Sequence, residues 1–296
     1  MTRVSVVGTC QVHGIADSLI FLLPGVKVLA FEYTAIKDKD AINQIQKCVV
    51  ESDYVFSHFL PESAGPLGTT ALRQAVPKFW IIPSVSFTGF HPDCIYISHN
   101  DKALESAIGP LHSGIIAAAY SIGVPVDRVS SLFNAFIFRK LGYYEEFAKA
   151  RLFLQEHMER QGFDLTTVWE SWLKQGAFMH TIVHPTIWVL ASIAKFLAER
   201  AGLAAPGATA PSVPMDWLAN HAVWPVYPEL ARPLNVPGSY VFKRGGGPDW
   251  VRGDRPYLGL ETMIANSYAR YQNYPPEAFQ SEPIKRIMTV LSETIR

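Results

Sequence analysis

Cys10 is the residue around which chemistry can be built. It follows a short β-branched run, Arg3-Val4-Ser5-Val6-Val7, and a small-residue turn, Gly8-Thr9; residues 11–23 after it are patterned as a helix. A thiol at a helix N-terminus faces unpaired backbone N–H groups and the positive end of the helix dipole, and both favour thiolate. Strand, tight turn, nucleophile and helix is also the layout that exposes the serine of α/β hydrolases. The plainer reading is a small buried cysteine at a strand end. A nucleophile needs a base and a place for an oxyanion. The backbone N–H groups of Gln11 and Val12, with the Gln11 side chain, are the nearest donors. Among nine histidines, His91 lies in a loop with Asp93 two residues on as a possible orienting acid. His184 stands just before a helix that opens with Pro185, and His58 closes a strand. Each also reads as a turn, cap or core histidine. His180 is four residues from His184, but Val183 and Pro185 spoil a helical ligand pair. No HExxH or other compact metal motif occurs, so no metal site is expected.

Phosphate-binding signals are weaker. The segment from Gly8 to Gly14 matches neither GxGxxG nor GxxxxGK[ST], which argues against a dinucleotide site or a P-loop. Lys243-Arg244-Gly245-Gly246-Gly247 joins two cations to a loop able to close on a phosphate, or is a solvated surface loop. Tyr143-Tyr144, Trp169, Trp172, Trp217 and Trp224 read as packing aromatics.

These residues have to be positioned by their elements. Residues 3–7, 26–31, 53–57 and 78–82 read as strands, with 95–97 as a short fifth, and 40–50 and 69–75 as helices. That alternation predicts a parallel, doubly wound sheet, whose ligands sit beyond the strands' carboxyl ends. Cys10, His58 and the segment after Pro83 all fall there. Beyond Asn100 the periodicity turns helical: 103–122, 126–141, 143–161, 165–175, 186–201, 257–271 and 281–295. Residues 202–214 read as a loop and 223–256 as irregular. The expected fold is α/β, a parallel Rossmann-like sheet followed by a mainly helical C-terminal part, divided as 1–100 and 101–296.

Bulk properties narrow the class. Across 296 residues, 26 Lys and Arg balance 26 Asp and Glu, so no net field favours nucleic acid or a membrane surface. Charged residues make up 18% and hydrophobic ones 49%, which suits a large core and leaves apolar area for a homo-oligomer contact. Three cysteines without CxxC spacing give neither a disulfide framework nor a zinc site, and predict a reducing, cytoplasmic setting. The apolar stretch 15–31 is interrupted by Asp17, Pro24 and Lys27, so no transmembrane segment or leader is expected.

Taken together, three segments resemble the WcbI family of polysaccharide biosynthesis enzymes. Val6-Val7-Gly8-Thr9-Cys10-Gln11 is similar to that family's opening Gly-Asn-Cys-Gln. Gly89-Phe90-His91-Pro92-Asp93 resembles its Gly-aromatic-His-Pro segment, and Val183-His184-Pro185-Thr186 its Asn-His-Pro-Ser/Thr motif. The resemblance runs in order from Arg3 to about Gly202. Thr9 and Val183 each stand where the family has asparagine. The resemblance implies coenzyme A or acetyl-CoA as cofactor and acetyl transfer to a sugar hydroxyl in capsule or exopolysaccharide assembly, with a glycan acceptor as partner. On this reading Cys10 is the reactive residue, His91 or His184 the base and Asp93 the orienter. Gly8, Thr9, Gln11 and His58 bind the coenzyme's reactive end, and Lys243 and Arg244 its phosphates, across the junction of the two parts. Transfer through an acyl-cysteine and direct attack by a histidine-activated hydroxyl both remain open. So do a cysteine esterase or thioesterase and a noncatalytic sugar- or nucleotide-binding scaffold.

Overall fold

The computed structural model describes residues 1–36, 38–245 and 256–295. Strand and helix alternate first: β1 (Arg3–Gly8), α1 (Val12–Leu22), β2 (Lys27–Glu32), α2 (Lys39–Val50), β3 (Tyr54–Ser57), α3 (Thr69–Ala75) and β4 (Phe79–Ile81). Four short strands follow: β5 (Cys94–Tyr96), β6 (Ser98–His99), β7 (Lys102–Ala103) and β8 (Leu111–Ser113). Next come α4 (Gly114–Ser121), α5 (Ala135–Leu141), α6 (Tyr143–Glu159), α7 (Trp169–Leu173), α8 (Ile187–Arg200) and α9 (Pro228–Leu234). The described chain ends with β9 (Phe242–Lys243), β10 (Tyr257–Leu258), α10 (Leu260–Tyr271) and α11 (Glu282–Ile295).

The chain packs as two compact units, each assembled from separated stretches. One comprises Met1–Ser86, Leu154–Phe178 and His184–Leu218; the other comprises Phe87–Phe153, Met179–Val183 and Ala219–Arg296. The chain therefore changes unit several times instead of once near residue 100, and α8 belongs with the sheet that opens the sequence. No helix among the described residues is long and apolar enough to cross a membrane.

The first unit carries the expected sheet, four parallel strands in the order β2-β1-β3-β4. Val4, Val6 and Val7 of β1 are fully buried, as a central strand covered on both faces requires. Val7 and Val55 share a core with Val49 of α2, Leu72 of α3 and the loop residues Leu60 and Leu67. On α1, Gly14 permits close approach of α8: a Cβ there would lie 2.4 Å from Leu190 Cδ1.

In the second unit several expectations change. Residues 94–96 do form a strand, but β5 pairs antiparallel with β8 and does not extend the parallel sheet. A parallel neighbour needs a crossover, usually helical, and the described chain between β4 and β5 holds no helix. The helix expected over 103–122 starts only at Gly114, after Gly109 at φ +99° and Pro110 break the pattern. Ser113 then caps α4, its Oγ accepting the Ile116 N–H at 3.1 Å. The helix expected over 126–141 divides likewise. Residues 126–132 are 3₁₀, and the Asn134 Oδ1 caps α5 through the N–H groups of Phe136 and Ile137.

Candidate active site

The order β2-β1-β3-β4 means that the chain leaves β1 for one side and later returns to its other side at β3. The crevice beyond the carboxyl ends of β1 and β3 is thus the sheet's topological switch point, where α/β folds bind ligands. Gly8, Thr9, Cys10 and Gln11 follow β1 at this point, and His58 follows β3. The turn into α1 is closed by the Val12 N–H on the Thr9 carbonyl at 3.0 Å.

Cys10 is half-buried beneath this turn. The Thr9 side chain and the backbone N–H groups of Cys10 and Gln11 stabilise a thiolate there, as a helix start should. Burial outweighs them, and with the nearby Glu32 carboxylate it pushes the thiol up to about 11. The depressed thiol pKa expected from the helix start is therefore reversed, and at neutral pH the resting protein holds a protonated Cys10.

His58 is buried at 2% exposure and lies against Gly8. A Cβ on Gly8 would sit 2.2 Å from His58 Nδ1, so glycine is required by close approach. Thr9 donates its N–H to that Nδ1 at 3.2 Å, which places the imidazole proton on Nε2. Burial lowers His58 to about 4, so it stays a neutral ring, unsuited to be the base. Gln11, expected as an oxyanion donor, spends its carboxamide elsewhere. Its Nε2 donates to the Val85 carbonyl at 2.8 Å and its Oε1 accepts the Val85 N–H at 3.3 Å. This two-point clamp fastens the loop after β4 to the start of α1.

Two residues at this edge escaped the sequence reading. His13 is half-exposed on the first turn of α1, and its Nε2 lies 3.3 Å from Glu32 Oε2. Glu32 is the last residue of β2 and is paired in register with Gly8; its Oε1 also accepts the Thr34 hydroxyl at 2.9 Å. The available signals were the i, i+3 spacing of Cys10 and His13 and the acidic residue ending a strand. A cavity of about 480 Å³ in the same unit lies between α1, α8 and residues 208–214; neither Cys10, His58 nor Glu32 lines it.

His184 also belongs to the first unit, half-buried before Thr186, the residue that precedes α8. His91, Asp93, Lys243 and Arg244 belong to the second unit. There His91 is buried and is held to about 4 by that burial, with its Nε2 against the Met179 carbonyl at 3.2 Å. Asp93, expected to orient it, is engaged otherwise. Its carboxylate takes the Ser113 hydroxyl, the Tyr143 hydroxyl at 3.0 Å, the Tyr227 hydroxyl at 2.8 Å and the Ile115 N–H at 2.9 Å. Even so, burial raises it to about 6. This carboxylate knits β5, β8, α4, α6 and the start of α9 together. Lys243 donates to the carbonyls of Ala219 at 2.6 Å and His221 at 3.1 Å, so its ammonium is committed to the main chain. Gly246 and Gly247 of the expected phosphate loop lie outside the described residues.

Comparison with known proteins agrees with this architecture. A solved structure described as WcbI, a novel polysaccharide biosynthesis enzyme, superposes with a TM-score of 0.72 at 13% identity, covering 100% of this chain and 99% of that one. It is described as native protein without the disulfide bond between coenzyme A and one of its cysteines. No curated protein matches the sequence. The family model for the polysaccharide biosynthesis enzyme WcbI matches residues 3–206. The sheet, the Cys10 turn and α8 all lie within that match, and the chain belongs to the WcbI family of polysaccharide biosynthesis enzymes.

Proposed function

We propose that the protein transfers an acyl group, acetyl in the simplest case, from coenzyme A to a carbohydrate hydroxyl in polysaccharide assembly, by way of Cys10. The observation that carries this reading is the position of the Cys10 sulfur at the switch point of the sheet, with backbone N–H groups of Cys10 and Gln11 directed at it. Membership of a polysaccharide biosynthesis family supplies the acceptor class. The WcbI structure, whose description pairs coenzyme A with a cysteine, supports the donor class. In the step envisaged, the Cys10 thiol gives up its proton and the sulfur attacks the acyl carbonyl. The carbon–sulfur bond to coenzyme A breaks, and the departing thiolate takes a proton. A sugar hydroxyl then attacks the acyl-cysteine, loses its proton and restores the thiol. N–H groups that stabilise a thiolate at Sγ are placed to stabilise the oxyanion formed on the carbon bonded to that sulfur.

Incubation with acetyl-CoA in the absence of acceptor, followed by intact-mass and peptide analysis, tests the reading. One acetyl group on Cys10 with release of coenzyme A is expected, and no adduct in Cys10→Ser. Steady release of acetate without acceptor would assign a thioesterase. Absence of binding to either coenzyme A or acetyl-CoA would overturn the proposal.

A further inference from the structure

We propose that His13 is the proton acceptor of this site and that Glu32 orients it, so that Cys10, His13 and Glu32 form a nucleophile–base–orienter set at the carboxyl edge of the sheet. The proposal rests on the acyl-transfer reading for its chemistry and on separate observations for its geometry. A half-buried thiol that is protonated at rest needs a base before it can attack. His58 has its Nδ1 occupied by the Thr9 N–H, and its ring is buried. His13 is half-exposed, able to exchange protons with solvent, and lies on the first turn of α1, three residues after Cys10 and paired with Glu32. Glu32 reaches both partners. Its carboxylate lies 3.3 Å from His13 Nε2, and its charge is felt at the Cys10 sulfur.

The pairing has a defined source in the fold. The register Gly8↔Glu32 brings the last residue of β2 beside the turn that holds Cys10, and α1 starts from that same turn. The Thr34 hydroxyl on Glu32 Oε1 leaves Oε2 for the imidazole. A carboxylate on one ring nitrogen fixes the tautomer and leaves the other nitrogen as the acceptor. In the forward step the Cys10 proton passes to His13, directly or through one water, as sulfur bonds to the acyl carbon. His13 then returns that proton to the coenzyme A thiolate as the old carbon–sulfur bond breaks. Among the described residues, Glu32 from β2 acts on Cys10, His13 from α1 pairs with that Glu32, and His58 after β3 bonds the neighbouring Thr9.

Two assays test the set: acetyl transfer, and the pH profile of Cys10 alkylation by iodoacetamide, which needs neither coenzyme nor acceptor. His13→Ala should lower transfer about 10²–10⁴-fold and remove the lower inflection of the alkylation profile. Added imidazole should restore both, since the position is open to solvent. Glu32→Gln should lower transfer and neutral-pH alkylation by a smaller factor than His13→Ala, because the ring remains while its carboxylate partner is lost. Wild-type behaviour of His13→Ala in both assays would overturn the proposal. So would losses in His13→Ala and His13→Gln that imidazole leaves unrestored, since these would mark a structural role. If the wild type transfers no acetyl group, the parent reading fails while the alkylation profile still judges the His13 pair.

Discussion

Gly8→Ala isolates the contact on which the site turn is built. Gly8 has φ +158°, a backbone conformation that L side chains rarely adopt, so alanine meets a backbone cost of about 1–3 kcal/mol before any contact is counted. The second obstacle is His58. The new Cβ would fall 2.2 Å from Nδ1, 2.7 Å from Cγ and 2.9 Å from Cβ of that ring. The ring cannot swing aside freely, because it is 2% exposed, its Nδ1 accepts the Thr9 N–H, and the His58 backbone is held by its N–H donating to the Val7 carbonyl at 2.9 Å. Overpacking of this kind costs about 1–3 kcal/mol. Loss of the Thr9 bond adds roughly 0.5–1.5 kcal/mol, so the part of the cost due to His58 is about 2–4 kcal/mol, on top of the backbone cost. Urea unfolding measures it, and His58→Ala provides the control. If the clash is the cause, Gly8→Ala in the His58→Ala background should cost about 2–4 kcal/mol less than in the wild-type background, the difference appearing as coupling between neighbouring residues and the remainder being the backbone cost. Equal costs in both backgrounds would refute the reasoning, and a neutral Gly8→Ala in the wild-type background would refute it outright. Acyl transfer should fall further than stability suggests, because displacing a reacting group by about 1 Å can cost on the order of 10²-fold.

Gln11→Leu strands the buried Val85 N–H and carbonyl; at roughly 1–3 kcal/mol for each unsatisfied group, urea unfolding should register about 2–6 kcal/mol and a loosened loop after β4. Acidification should destabilise the protein through His58, His91 and His112, each lowered to about 4 by burial from an unfolded value of about 6.5. Their contribution is complete above the unfolded value and is lost as pH falls through 6.5 toward 4. Asp93, raised to about 6, acts oppositely, its burial penalty lifting as pH falls below 6. Three groups oppose one, so urea midpoints should decline between pH 6.5 and 4, and Asp93→Asn should steepen that decline. A flat wild-type profile would contradict these assignments.

The strands were legible because β-branched runs between turn residues have few other uses. The runs at 3–7, 26–31, 53–57 and 78–82 correspond to β1 to β4 within a residue or so at each end. The helices α2, α3, α6, α8 and α11 were equally readable, since each has sustained apolar spacing and a clear stop. The pattern misled where an apolar stretch contained its own breakers, as with Gly109-Pro110 inside 103–122. The division of the chain was hidden for another reason. The return of α8 to the first unit is a long-range pairing that no local periodicity records. The site was half-visible. Strand ends pointed to Cys10 and His58, but burial reversed the expected ionisation of the thiol and neutralised the histidines. Asp93 looked like a partner of His91 from its spacing, yet its oxygens are taken by Ser113, Tyr143, Tyr227 and Ile115. Finding Glu32 beside Gly8 required the β1–β2 register.

Burial, more than residue type, assigns the roles of the ionisable groups. His58, His91 and His112 are all kept neutral, so each can accept or donate a hydrogen bond without charging, and each contributes shape and a fixed tautomer. A neutral His58 beside the Cys10 turn holds Thr9, and through it the backbone N–H groups that face the sulfur. The same burial that supports this framework leaves the thiol protonated, a resting state resistant to oxidation and stray alkylation because thiolate is the reactive form. Reactivity must then be switched on by something exposed enough to move protons. At this edge of the sheet the His13–Glu32 pair meets that need, half in solvent and tied by β2 to the residue opposite the strand end.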